Sequence, residues 1–367
     1  SMQAIRLKTE HLFDPMGVDF TAPRLYWNCD GGKKQTAYQI VAADDGGSIL
    51  WDSGRVESAA MCVKWGGAPV PPKTKAFWQV RLWDEENAAG DWSKASFETG
   101  IGAWSAKWVT GDYKVNKKER YPVDYFHKVF HSAAVKKARL YITACGLYEA
   151  RLNGQRVGDF VRAPGITDYR KRLQYQTYDV TPLLQEGENT LTVQLADGWY
   201  RGSCGAWGLK NQYGTETKLL AQLELTHTDG RVQTIVTDES WDWSNDGPIR
   251  FADNKDGEII DAQKAPSYSG KAKGTSHPVT PSASNNVPVM EHERMKPVCI
   301  TTPSGKTVLD FGQNIAGYAE FTVAAHAGQT LKLRFGELLD ADGEFTQKNI
   351  QCSNKNITTP LQQVVYT

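Results

Sequence analysis

Nothing in these 367 residues is long, apolar and uninterrupted. No run approaches the ~18 apolar residues of a membrane-crossing helix, which argues against a membrane partner. Charge of one sign is missing too. Lys plus Arg is 42 and Asp plus Glu is 42, so the net charge is zero. That balance excludes the cationic excess a nucleic-acid partner needs, and it excludes long charged tails. Cysteine is sparse. Cys29, Cys62, Cys145, Cys204, Cys299 and Cys352 are widely spaced with no C-x-x-C pair, which excludes a disulfide framework or zinc ribbon and reads as buried free thiols. Helical periodicity is short, with no 3.6-residue run beyond about 12 residues and no βαβ alternation. Doubly wound folds and helical barrels within this chain are thereby excluded.

Motifs that carry chemistry are also absent. There is no glycine-rich phosphate loop, no G-x-S-x-G and no H-E-x-x-H. His292-Glu293-Arg294-Met295-Lys296 opens like a zinc helix but lacks the second histidine. Aligning Gly257 of the acidic loop Asp253 to Glu258 on the EF-hand glycine puts Ala252 and Gln263 at the two key ligand positions, so it is no EF-hand. Asp340 to Glu344 fails likewise, and both loops read as hairpin turns. No cofactor and no metal site is called for, with a looser calcium site of carboxylates and carbonyls as the alternative. No basic leader with an apolar run follows Met2. The chain reads as cytoplasmic, or as periplasmic or secreted if a leader has been removed.

What the sequence does have is short strands, turns and tryptophan. In residues 1–101, Trp78, Val80 and Leu82 share one face of a strand and Phe77 the other. A hundred residues of such strands predict an immunoglobulin-like or fibronectin-like sandwich. Residues 102–286 hold further hairpins and predict a jelly roll. Arg139 to Ala144 reads as a strand with Tyr148 to Leu152 as its partner. Asn153-Gly154 follows as a type I′ turn signal. Thr181-Pro182-Leu183-Leu184 is the one helical candidate, and Ser267 to Asn286 reads as a linker or surface loop. Residues 287–367 supply strands at Thr307 to Phe311, Tyr318 to Val323 and Thr330 to Phe335. These are too few to bury two inner faces, so this segment reads as the start of a third sandwich. The fold class is all-β, as tandem β-sandwiches.

The densest unusual stretch is Asp197-Gly198-Trp199-Tyr200-Arg201-Gly202, with Trp207 close by. If extended, Trp199 and Tyr200 point to opposite sides, so one packs inward while the other faces solvent. An exposed ring stacks on the apolar face of a sugar, and Asp197 and Arg201 hydrogen-bond hydroxyls. The competing reading is that both rings cap the sandwich core.

These pieces resemble one family. Asp14-Pro15-Met16-Gly17, Pro23-Arg24-Leu25-Tyr26-Trp27, Trp51-Asp52-Ser53-Gly54-Arg55 and Phe97-Glu98-Thr99-Gly100 stand in the first segment. Gly146-Leu147-Tyr148-Glu149, Leu152-Asn153-Gly154, Tyr175-Gln176-Thr177-Tyr178-Asp179 and Gly198 to Gly202 stand in the second. Asp310-Phe311-Gly312-Gln313-Asn314 opens the third. In this order they are similar to the N-terminal sandwiches of bacterial α-L-rhamnosidases, inverting glycoside hydrolases that release terminal L-rhamnose.

The resemblance implies that catalysis belongs to a C-terminal six-hairpin α-barrel, so no catalytic residue is assigned here. It implies a rhamnose-containing glycoside as substrate, and rhamnose binding by the second domain through Asn153, Asp197, Trp199, Tyr200, Arg201 and Trp207. The alternative is a scaffold that holds the barrel and binds no sugar. Exposed edges of the third segment predict pairing with another chain, a route to a homo-oligomer.

Overall fold

The computed structural model describes residues 1–114, 121–158, 164, 171–197, 216–247, 249–253, 257–261, 264–268, 270–284, 295–313, 322, 324–348 and 363–367. Among the described residues there is no α-helix, and Thr181–Leu183 forms a single 3₁₀ turn. The chain divides into two compact units.

The first unit comprises Ser1–Ser105 with the short segments Gln174–Tyr178 and Ser282–Asn286. One sheet runs Gln3–Thr9, Arg24–Asp30, Cys62–Lys64. The other runs Met16–Val18, Ser93–Thr99, Lys75–Trp83, Ala37–Asp44, Ile49–Asp52, with Val56–Glu57 also on Ala37–Asp44. Period-two alternation sorts the side chains as expected. Trp78, Val80 and Leu82 are buried, while Phe77 is 47% exposed. Each large buried apolar side chain contributes roughly 1.5–3 kcal/mol.

Three buried tryptophans of this unit have their indole N–H groups satisfied, as buried rings need. Trp27 donates to Gln35 Oε1 at 3.1 Å, Trp65 to the Ala68 carbonyl at 2.9 Å, and Trp78 to Thr9 Oγ1 at 3.2 Å. Tyr175 belongs to this unit as well. Its hydroxyl accepts from the Ile101 N–H at 3.1 Å and donates to Asp19 Oδ1 at 3.5 Å, and its ring meets Trp104 edge-on. The second oxygen of Asp19 accepts from the Ala283 N–H at 2.6 Å. Burial pushes the Tyr175 phenol up to about 12.

The second unit comprises residues 106–173, 179–281 and 287–367. One sheet runs Gln155–Arg156, Leu147–Leu152, Gly187–Ala196, Asp124–Ser132, Asp242–Ser244, Gly270–Lys271. A second contains Lys273–Gly274, Val109–Thr110, Lys218–His227 and Val135–Cys145 in that order, with Val232–Val236 also on Lys218–His227. Phe126, Leu140, Ile142, Val193, Leu223 and Leu225 are fully or nearly fully buried.

Two sequence expectations change here. Val135–Cys145 and Leu147–Leu152 are not partners but lie in different sheets: the first pairs with Lys218–His227, the second with Gly187–Ala196. Gly146 turns the chain between them at φ +130°, and a Cβ there would stand 2.4 Å from the Ala196 carbonyl oxygen, so only glycine fits the corner. The stretch from Ser267 to Asn286 is no free linker either. It supplies three two-residue strands, and Ala272 and Ala283 are buried. Edge strands this short need only backbone groups, so a polar composition does not forbid them.

Residues 287–367 add the hairpin Val298–Thr301 with Thr307–Asp310. Leu331–Arg334 pairs with Gln363–Tyr366, which runs parallel to Gly257–Ile260. The expected strand Tyr318 to Val323 lies almost wholly outside the described residues. Of the four described cysteines only Cys145 is buried. Cys29 is half-buried and Cys62 and Cys299 are exposed, against the expectation of buried thiols. Cys62 and Cys299 lie on the short strands Cys62–Lys64 and Val298–Thr301, which cannot cover both faces of the residues they carry.

Candidate functional site

Of the sugar-contact candidates, Asn153 and Asp197 are described. Trp199, Tyr200, Arg201 and Trp207 lie outside the described residues. Asn153 opens the predicted type I′ turn, with φ +51° followed by Gly154 at +79°. Its side chain is built into the fold. Nδ2 donates to the Leu183 carbonyl at 2.9 Å and to Asn189 Oδ1 at 2.8 Å, and Oδ1 accepts from the Thr190 N–H at 2.9 Å. Both amide hydrogens are thereby used inside the protein.

Strand register separates the two candidates. Leu147 pairs with Ala196 and Leu152 with Leu191, so Asn153 sits at one end of this strand pair and Asp197 at the other. At about 3.3 Å per residue the separation is roughly 20 Å, several times the width of one sugar ring. The structure does not bring Asn153 and Asp197 into one site.

Asp197 is buried at the end of the sandwich, just after the strand Gly187–Ala196. That end has a firm floor which the sequence reading missed. Asp124 is fully buried. Its Oδ2 accepts from Thr217 Oγ1 at 2.7 Å and its Oδ1 from the Trp243 indole N–H at 2.9 Å. Asp124 lies on one sheet, and Thr217 precedes the strand Lys218–His227 of the other. The charge-assisted bond therefore ties the two layers where residue 197 leaves and residue 216 returns. The signal was available: Asp124 is the one charge in the run Val123-Asp124-Tyr125-Phe126. With both oxygens committed, Asp124 is architectural rather than a general acid. Beside it Tyr113 stacks on Trp243 with centroids 5.8 Å apart, and Tyr121 packs on Tyr113 at 4.6 Å.

On the outer face of the same sheet, Asp242 accepts from Lys271 Nζ at 2.5 Å and lies 3.4 Å from His127 Nδ1. The Lys271 hydrogen bond holds the Asp242 carboxyl below the usual carboxylate range. Tyr268 stacks on His127 at 4.6 Å, and burial pushes its phenol up to about 12.

Among the described residues no group of three or more His, Cys, Asp or Glu could hold a metal ion. Of the two acidic loops, Asp340 to Glu344 is the hairpin turn its composition predicts. Gly343 N–H donates to the Asp340 carbonyl at 3.0 Å, and Asp340 Oδ1 accepts from Asp342 and Glu344 N–H groups. Residues 254–256 of the other loop lie outside the described residues, between the paired Asp253 and Gly257.

Three family models match along the chain in order. A Rha78A-like N-terminal immunoglobulin domain matches residues 4–103, an alpha-L-rhamnosidase N-terminal domain 133–302, and a bacterial alpha-L-rhamnosidase concanavalin-like domain 300–360. An alpha-L-rhamnosidase of Formosa agariphila is 34% identical, over 93% of this chain and 40% of that protein. One of Streptomyces avermitilis is 28% identical, over 98% of this chain and 54% of that protein.

Among solved structures, the native rhamnosidase of Aspergillus terreus aligns with a TM-score of 0.89 at 31% identity, over all of this chain and 44% of that one. The Streptomyces avermitilis enzyme complexed with L-rhamnose aligns with a TM-score of 0.89 at 26% identity, over all of this chain and 53% of that one. The chain thus spans about half the length, or less, of these relatives. With three domain models in sequence and two solved rhamnosidases sharing its fold end to end, the chain belongs to the α-L-rhamnosidase family and corresponds to its N-terminal β-sandwich region.

Proposed function

We propose that this chain is the non-catalytic N-terminal portion of an α-L-rhamnosidase that removes terminal L-rhamnose from rhamnosides. Its partners are then a rhamnose-containing glycoside and a C-terminal catalytic domain in the part of the relatives that this chain does not span. The observation that carries the reading is the ordered run of family domains over a fold shared along the whole chain. The chemistry agrees with it. Asp124, the carboxylate fixed beneath the candidate site, is structural, committed to Thr217 and Trp243. An assay with an aryl α-L-rhamnoside tests the proposal. The chain alone should give no turnover, and a longer protein carrying the catalytic domain should hydrolyse the substrate. Turnover by the isolated chain would sink it.

The scaffold reading has specific support at Asn153, whose amide is consumed by Leu183, Asn189 and Thr190. Sugar contact by the second domain then rests on Asp197, Trp199, Tyr200, Arg201 and Trp207. Replacing Trp199 with Ala should lower L-rhamnose affinity if that loop binds sugar and leave it unchanged if it does not. The hairpin Val298–Thr301 with Thr307–Asp310 supports strand pairing between copies, since Val298 is 67% and Leu309 51% exposed. Sedimentation across a concentration series tests that association.

A further inference from the structure

A cleft of about 840 Å³ opens beside the second sandwich, outside the loop that the sequence singled out. It is lined by three separate stretches, Ala106 to Val109, Asp238 to Ser240 and Gly274 to His277. The volume falls within the range of small-molecule sites. The backbone around it is well fixed. Thr275 N–H donates to the Trp108 carbonyl at 2.9 Å, Lys107 N–H to the Thr237 carbonyl at 2.9 Å, and Ala106 N–H to Gln222 Oε1 at 3.1 Å.

One wall is aromatic. Trp108 is half-buried and its ring lies 5.4 Å from that of His277. The indole packs on buried Cys145 and Leu173, and Cys145 Sγ lies 3.7 Å from His277 Nδ1. The ring therefore has a rigid backing where it lines the cleft. Asp238 and Glu239 also line the cleft, and each carboxylate is oriented through one oxygen. Asp238 Oδ1 accepts from the Ser240 N–H at 2.9 Å and from the Ser240 hydroxyl, and Glu239 Oε1 accepts from the Gly274 N–H at 3.2 Å. Among the described residues, Asp238 Oδ2 and Glu239 Oε2 accept no hydrogen bond.

Charge around the cleft is balanced. Lys107 lines it, Lys128 Nζ donates to Ser240 Oγ at 2.8 Å, and Lys218 Nζ donates to the Ser276 carbonyl at 2.6 Å. Three ammonium groups beside Asp238, Glu239 and the nearby Glu216, which accepts from Thr275 Oγ1 at 2.8 Å, leave no net sign to attract an ion. The cleft offers a flat ring for an apolar C–H face, oriented acceptors for a pair of hydroxyls, and ammonium and hydroxyl donors for the remaining oxygens.

We propose that this cleft is a binding site for a neutral sugar ring, with Trp108 as the stacking platform and Asp238 and Glu239 as acceptors for adjacent hydroxyls. It rests on the reading of the chain as part of a glycoside hydrolase, and it assigns sugar contact to a place that reading does not name. The ligand is one pyranose unit of a glycoside chain, held at millimolar affinity because the cleft is open and contacts are few.

The test is a titration of the whole chain with L-rhamnose, L-fucose, D-mannose and methyl α-L-rhamnopyranoside, followed by tryptophan fluorescence and by calorimetry. At least one sugar should saturate. Trp108→Ala should abolish the response. The double variant Asp238→Asn with Glu239→Gln, which keeps the shapes and removes the charges, should weaken it at least about tenfold while melting as the native chain does. Saturable binding unchanged in the double variant would overturn the proposal and place the sugar elsewhere. So would the absence of saturable binding by all four sugars. In either case hydrolysis of an aryl α-L-rhamnoside by a protein carrying the catalytic domain would stand or fall independently.

Discussion

Replacing Tyr175 with Phe removes one oxygen from a buried position, and the structure sets both the size and the pH dependence of the loss. The hydroxyl is the acceptor for the Ile101 N–H, and both residues are buried to within 2%. Without it that N–H is left unpaired, at about 1–3 kcal/mol. The bond to Asp19, at 3.5 Å, is at the outer limit of a hydrogen bond and adds little.

The pH dependence follows from the phenol, which burial raises from its usual 10 to about 12. A raised folded-state value means the contribution is complete below 10 and is lost as the pH rises through 12. At about pH 11 the unfolded phenol is largely ionised and the buried one is not, which removes about 1.4 kcal/mol of native stability. Tyr175→Phe has no such loss. The stability gap between the two proteins should therefore narrow by about that amount between neutral pH and about pH 11. Urea titrations of both at the two pH values, followed by fluorescence of the first unit's buried tryptophans, measure the gap. All other alkaline titrations are common to both proteins and cancel. A gap that is equal at both pH values would refute the argument, because it would mean the phenol is not protected by burial.

Gly17→Ala should destabilise the first unit by about 2–5 kcal/mol, since φ is +75° and the new Cβ would stand 2.1 Å from Thr177 Oγ1. Adding Thr177→Ala should recover little of this, because the Thr177 Cβ that alanine keeps would itself stand 2.4 Å from the new Cβ; melting temperatures measure it. Asn153→Gly should cost about 1–3 kcal/mol through the lost amide bonds, and Asn153→Ala about 1 kcal/mol more because alanine resists the φ of +51°. Equal losses would show that the turn conformation carries no strain. Asp242, with its carboxyl held low by Lys271, adds stability above the usual carboxylate range that fades as the pH falls; acid titrations should show the gap to Asp242→Asn closing. Alkylation followed by mass mapping should modify Cys62 and Cys299 in the native chain and Cys145 only after unfolding.

Local features were legible because they are written in adjacent residues. Trp78, Val80 and Leu82 announce one buried face, and Asn153-Gly154 announces a turn whose two residues need positive φ. Sheet membership was not legible. Val135–Cys145 and Leu147–Leu152 are neighbours in sequence, and nothing but Gly146 marks the corner that sends them to different layers. The strands at 270–274 and 282–283 escaped because two-residue ladders need no apolar pattern. At the site, Asn153 and Asp197 share a strand pair but stand at opposite ends, a distance that only the register reveals. The Trp108 cleft draws on three stretches spread over 170 residues, so no single window of sequence contains it.

The make-up of the first unit has a kinetic consequence. Asp19 bonds to residues 156 and 264 positions further on. During synthesis the N-terminal sandwich emerges first, yet its Tyr175 and Ala283 contacts do not exist until the intervening residues have been added. At ~5–20 residues per second the wait after residue 105 is roughly 4–14 s for Tyr175 and roughly 9–36 s for Ala283. Through the first of these waits the nascent sandwich has Gly17 without its Thr177 neighbour and the Ile101 N–H without its acceptor. Chain elongation, rather than the folding of the first hundred residues, sets when this unit reaches its final stability.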